Sequence, residues 1–124
     1  MTTNSFIFIL LYCISDIVVL VSAQEHHSNL LPWREIGADI IFIQESNEGL
    51  IDSDDLKKNL ADLKKEGRLM IGCFCKASNV TGLLNDDLQI TALLHQYGAL
   101  SFWDYATAAP YVEIDMNPKV LGMN

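Results

Sequence analysis

No lysine or arginine occurs in this chain before Arg34. Over all 124 residues, 16 aspartates and glutamates stand against 8 lysines and arginines, for a net charge of -8. Nucleic-acid backbones are bound by clustered cations, so the composition excludes a nucleic acid as the main partner. Cysteine is also scarce. With three of them one must be left over, and Cys73 and Cys75 sit too close on one strand-like run to pair with each other. A disulfide framework is therefore excluded and a reducing, cytoplasmic compartment is the simpler reading, with Cys13, Cys73 and Cys75 as small buried hydrophobes. A zinc centre built from Glu25, His26 or His27 and the Cys73/Cys75 pair lacks any standard ligand spacing, so no metal is expected.

One long apolar run is present, Phe6 to Val21, and it admits two readings. Val21-Ser22-Ala23 has the small residues of a signal-peptidase site, which would make residues 1–23 a secretory leader or leave a membrane-associated segment. Against this, no basic residue precedes the run and Asp16 interrupts it. A charge at the centre of a membrane span costs roughly 2.5 to 3.5 kcal/mol on insertion scales. The preferred reading divides the stretch into an unassigned apolar N-terminus, residues 1–15, and a buried strand from Asp16 to Ser22.

From Asp16 onward, strand-like and helix-like stretches alternate. Ile17 to Val21 is rich in β-branched residues and suits a strand covered on both faces. Ser28 can cap a short helix that holds Pro32 and closes at Gly37, and Ala38 to Ile43 reads as a second strand. After a turn at Ser46 to Gly49, Ser53 is placed to cap a helix with Leu56, Leu60 and Leu63 along one face. Asp54 and Asp55 at its start and Lys64 and Lys65 at its end suit the helix dipole, and Gly67 stops it. Leu69 to Phe74 is a third strand, leading into a polar loop from Lys76 to Gly82. Asn85 or Asp86 caps a helix with an Ile90, Leu93, Leu94, Tyr97 stripe, and Ala99 to Trp103 is a short buried strand ending on Asp104.

Strands and helices alternating with short joints form βαβ units, so the expected fold class is α/β with a mainly parallel sheet and flanking helices. One sheet edge then carries the C-terminal end of every strand, where ligands sit in open parallel sheets. Three loops meet there: Gln24 to Ser28, Lys76 to Gly82, and Asp104 to Ala108. Asp104 is the strongest candidate for chemistry, because a carboxylate ending an apolar run needs a partner, such as a cationic ring nitrogen. Asn79 could cap a turn or donate its amide to a ligand oxygen. A loop imidazole at His26 or His27 could lie on a flat ring or simply face solvent, and His95 near a helix end is better explained by a dipole contact or packing.

Taken together these loops resemble the class V aminotransferase family of pyridoxal-phosphate enzymes, which includes cysteine desulfurases and selenocysteine lyases. The matching stretches are Glu25-His26-His27-Ser28-Asn29 with Pro32-Trp33, Ser78-Asn79-Val80-Thr81-Gly82, His95 to Gly98, and Asp104-Tyr105-Ala106-Thr107-Ala108-Ala109-Pro110. The resemblance covers residues 16–118, read as a partial large domain of that fold, with residues 119–124 as a tail. It implies that Asp104 pairs with the pyridinium nitrogen of pyridoxal 5'-phosphate, keeping it protonated so that the ring acts as an electron sink. It implies that His26 stacks on one face of the ring and Ala106 presses on the other, with Asn79 near the ring hydroxyl. Thr107 stands where desulfurase-like members usually have glutamine, which shortens or removes a contact to that oxygen and leaves the reaction subtype open.

Departures from the family pattern shape the functional expectation. The Schiff-base lysine of a Ser-x-His-Lys type motif is absent from the 124 residues, and Lys119 lies too soon after Asp104 and in the wrong motif. The glycine- and threonine-rich turn for the cofactor phosphate and the small domain with its reactive cysteine have no counterpart either. The expectation is a piece of a pyridoxal-phosphate protein acting on an amino acid, not catalytic as this chain, and homodimeric when complete. The alternative is a non-catalytic α/β binding or regulatory isoform, or a truncated gene product.

Overall fold

Among the described residues, 16–118, the computed structural model alternates four strands with three helices. These are β1 (Ile17–Ser22), α1 (His27–Glu35), β2 (Asp39–Ile43), α2 (Ser53–Glu66), β3 (Leu69–Cys75), α3 (Asp87–Gln96) and β4 (Leu100–Asp104). All neighbouring strands are parallel, in the order β2-β1-β3-β4. The architecture expected from the alternation is the one found. Residues 1–15, with Cys13, and residues 119–124, with Lys119, lie outside the described residues. Among the described residues no helix is long and apolar enough to cross a membrane.

β1 holds the centre because its side chains are apolar on both faces. Val18 and Leu20 point to one side, where they meet Met70 and Phe74 of β3, Leu56 and Leu60 of α2, and Ile90 and Leu94 of α3. Val19 and Val21 point to the other, against Ile71, Cys73 and Leu30 of α1. The leucine stripe expected at 56, 60 and 63 is the buried stripe of α2. On the same face Gly72 is required by close approach, since a Cβ there would lie 2.5 Å from a methyl of Leu94.

Two helix starts differ from the expected ones for one reason, a better acceptor nearby, while the third has one of its two expected caps. Asp52, not Ser53, caps α2 by accepting from the Asp54 and Asp55 amides at 2.9 and 3.1 Å. His26, not Ser28, precedes α1 and accepts the Ser28 amide on its Nδ1. For α3 the cap is Asp86, which leaves Asn85 fully inside the protein. Gly67 closes α2 in the left-handed region at φ 71°, as the stop signal requires.

β4 departs from the expected buried strand. It is an edge strand, and on its α1 side Leu100 and Phe102 are each about half exposed. Among the described residues a single nine-residue helix covers that side of the sheet, and it packs over β1 and β3. Cys73 and Cys75 are buried, as small hydrophobes should be.

Candidate functional site

β1, β3 and β4 all end at one edge, and the candidate residues lie just beyond those ends. The exit from β1 is held by Glu25. Its carboxylate accepts from the Ser22 hydroxyl at 2.7 Å, the Asn29 amide at 2.6 Å and the Cys75 backbone N–H at 2.9 Å. Glu25 therefore bolts the turn after β1 to the end of β3. His26 comes next, exposed, with Nδ1 accepting the Ser28 amide at 3.1 Å. The His26 and His27 rings lie 6.2 Å apart and tilted by 56°, so they diverge.

The loop after β3 carries Asn79 at its tip. Ser78, not Asn79, closes the turn: its Oγ accepts the Val80 and Thr81 amides, each at 3.2 Å. The Asn79 side chain is exposed and makes no hydrogen bond among the described residues. Of its two possible roles, capping is thus taken over by its neighbour. No direct bond joins Asn79 to the other candidate residues.

β4 brings Asp104 beside Cys75 in register, and the Lys76 amide donates to the Asp104 carbonyl at 2.8 Å. One carboxylate oxygen of Asp104 accepts the Ala106 amide at 2.8 Å, which turns the chain so that Ala106 and Thr107 face solvent. Asp104 is half-buried and forms no ion pair among the described residues.

Two carboxylates and two thiols thus crowd one edge, and the thiols report it. Burial pushes the Cys75 thiol up to about 12, and the Glu25 and Asp104 charges push the same way. Burial also raises Cys73, with the same two carboxylates adding, while hydrogen bonds with Trp33 and Asn29 oppose the rise. Both thiols are held protonated, which rules them out as resting nucleophiles at neutral pH. The two carboxylates differ in kind. Glu25 is fully engaged by protein donors, whereas Asp104 keeps capacity for a cation.

The model of the family described as Aminotransferase class-V matches residues 7–119. The chain belongs to that family. A probable cysteine desulfurase of Staphylococcus aureus is 33% identical over 102 residues, covering 79% of this chain and 24% of the relative. Probable cysteine desulfurase 2 of Mycobacterium leprae is 30% identical over 104 residues, with 81% and 23% covered. Among solved structures, the cysteine desulfurase CsdA of Escherichia coli superposes with a TM-score of 0.67 at 28% identity, over 77% of this chain and 24% of that one. The chain therefore spans about a quarter of the length of the curated relatives it matches.

Class V aminotransferases depend on pyridoxal phosphate, and the residues at this edge suit part of that group. A carboxylate without a protein cation, on the mouth of a parallel sheet, suits a ring nitrogen that must stay protonated. An exposed imidazole at the N-terminus of α1, a small exposed residue at 106 and an unengaged amide at 79 suit a flat, oxygen-bearing ring. The side chains tying this edge together are not apparent from sequence. Asn85 has the look of a cap, yet its Oδ1 accepts the Ile51 amide at 3.1 Å and its Nδ2 donates to the Cys75 carbonyl at 3.0 Å. Its one visible signal is redundancy: with Asp86 next door, a second cap residue is free for another task.

Proposed function

We propose that this chain carries the ring-holding part of a pyridoxal-phosphate site in a cysteine-desulfurase-like protein that acts on an amino acid. The observation that carries the reading is the contrast between the two carboxylates at the strand ends. Among the described residues, Glu25 has three protein donors, and Asp104 has one amide and no cation. Bound pyridoxal phosphate supplies an electron sink for bonds broken at the amino acid's Cα or Cβ. Asp104 holds a proton on the ring nitrogen; His26 and Ala106 clamp the two ring faces. Asn79 donates to the ring oxygen, and Thr107 offers that oxygen less reach than a glutamine would. The 124 residues contain no Ser-x-His-Lys motif, so for these residues we assign cofactor holding without covalent anchorage or turnover. The amino acid substrate, a homodimeric assembly and a cytoplasmic setting belong to the same proposal, the last supported by two buried, reduced thiols.

Titration of the chain with pyridoxal phosphate, followed by cofactor absorbance, tests the reading. Asp104→Asn keeps an acceptor for the Ala106 amide and removes only the charge. Hydrogen bonds to charged groups contribute about 1.5 to 3 kcal/mol, so affinity should fall about 10- to 150-fold. Borohydride reduction should leave no stoichiometric lysyl adduct. Equal affinity of wild type and Asp104→Asn would overturn the assignment of Asp104, and a stoichiometric adduct would overturn the absence of anchorage.

A further inference from the structure

The carboxylate that faces the ring has a brace on the opposite side of the sheet. Alternation along β3 and β4 sends Cys75 and Asp104 to the α1 face, and the residue after each to the other face. Those next residues are Lys76 and Tyr105, and one side chain receives both. Asp87, the first residue of α3, accepts from Lys76 Nζ at 2.7 Å on one oxygen and from the Tyr105 hydroxyl on the other. Lys76 Nζ also donates to the Asn85 carbonyl at 2.7 Å. The Lys76 and Asp87 side chains are only 15% and 21% exposed, so solvent screens the pair weakly.

The backbone closes the circuit. The Lys76 amide donates to the Asp104 carbonyl at 2.8 Å, and the Tyr105 carbonyl accepts the Ala109 amide at 2.7 Å. Asp104 is therefore fixed from behind by Lys76 and from in front by Tyr105, and both residues are anchored on Asp87. We infer that Lys76, Asp87 and Tyr105 form a latch that positions the Asp104 carboxylate, with Lys76 a positioning residue and not an amine for covalent attachment. The inference rests on the proposed role of Asp104. The Lys76 ammonium is turned to the α3 side and already paired with Asp87.

The two end states of the latch are stable to ordinary changes of pH. Partial burial works against ionisation of Asp87, yet the hydrogen bonds from Lys76 and Tyr105 win and hold its carboxyl below the usual range. Burial and the Asp87 acceptor push the Tyr105 hydroxyl up to about 12. Asp87 stays charged and Tyr105 stays protonated across the neutral range, so the device is permanent and not a switch.

The test uses Tyr105→Phe, which leaves every charge in place, and Lys76→Met with Lys76→Arg as the charge-keeping rescue. Two quantities are read on each: affinity for pyridoxal phosphate, and hydrogen exchange of the Ala106 and Ala109 amides. The latch predicts about tenfold weaker binding and at least tenfold faster exchange for Tyr105→Phe and Lys76→Met, with Lys76→Arg near wild type. Unchanged affinity in Tyr105→Phe, with the cofactor bound normally by wild type, overturns the positioning role. If wild type does not bind the cofactor at all, the proposed function fails. The latch is then judged on exchange alone, and unchanged Ala106 and Ala109 exchange in both variants overturns it.

Discussion

Replacing Asn85 with alanine should destabilise this fold by about 2 to 4 kcal/mol, although no apolar core residue is touched. Asn85 is only 2% exposed and joins three segments. It accepts from the Ile51 amide ahead of α2, donates to the Cys75 carbonyl at the end of β3, and reaches the Gln24 side chain after β1 at 3.4 Å. In Asn85→Ala the Ile51 amide and the Cys75 carbonyl lose their partners, and each stranded buried group costs about 1 to 3 kcal/mol. The half-exposed Gln24 finds water and adds little. Ile51 and Asn85 both border an open groove of about 480 Å³ beside the start of α2, so a water can enter and offset part of the loss. The upper end of the summed range therefore falls to about 4 kcal/mol. Urea unfolding followed by tryptophan fluorescence measures it, through a shifted midpoint at constant slope. A loss below about 1 kcal/mol would refute the view that this side chain ties the three segments together.

Gly72→Ala places a Cβ 2.5 and 2.7 Å from the two methyls of Leu94 and 2.9 Å from the Phe74 ring, both wholly buried, so it should cost about 3 kcal/mol by overpacking. Combined with Leu94→Ala it should cost less than the sum of the two single changes; additivity in urea melts would contradict the contact. Asp52→Ala should cost about 1 kcal/mol through the lost cap of α2, whereas Ser53→Ala should change little. Alkaline solution should weaken the fold because Cys75 and Tyr105 are both raised to about 12. Their contribution is complete below the unfolded values of about 8.5 and 10 and is lost as pH climbs toward about 12. Urea midpoints that stay flat from about pH 8 to about pH 11 would contradict it. Asp87 has the opposite sign: its contribution holds above the unfolded value of about 3.9 and fades as pH falls through its lowered folded value.

The sheet is legible in the sequence because β1 up to Val21 and all of β3 are β-branched or apolar and α2 between them carries a clean stripe at Leu56, Leu60 and Leu63. Asp104 is legible for a related reason: an apolar run that stops on a charge marks a strand mouth. Composition does not show that β4 lies at an edge, since exposure of Leu100 and Phe102 depends on how many strands and helices surround them. Helix starts slip by a residue or two because His26 and Asp52, just upstream of Ser28 and Ser53, accept the first amides of α1 and α2. The division between Glu25 and Asp104 is beyond reach of the sequence, as it turns on donors from positions 22, 29 and 75 arriving at one carboxylate. The latch is hidden for the same reason, its three members being spread from 76 to 105.

Because Cys75 and Asp104 are partners in register, the location of the site is a matter of parity. Deleting or inserting one residue between Ala99 and Asp104 would exchange the two sides of β4. Asp104 would then turn toward Asp87 and the α3 helix, and a tyrosine would occupy the α1 side of the sheet. A change of two residues would preserve the facing and merely shift the mouth along the strand. Point substitutions can tune this site gradually, but a single-residue length change in β4 acts on its facing as an all-or-none event.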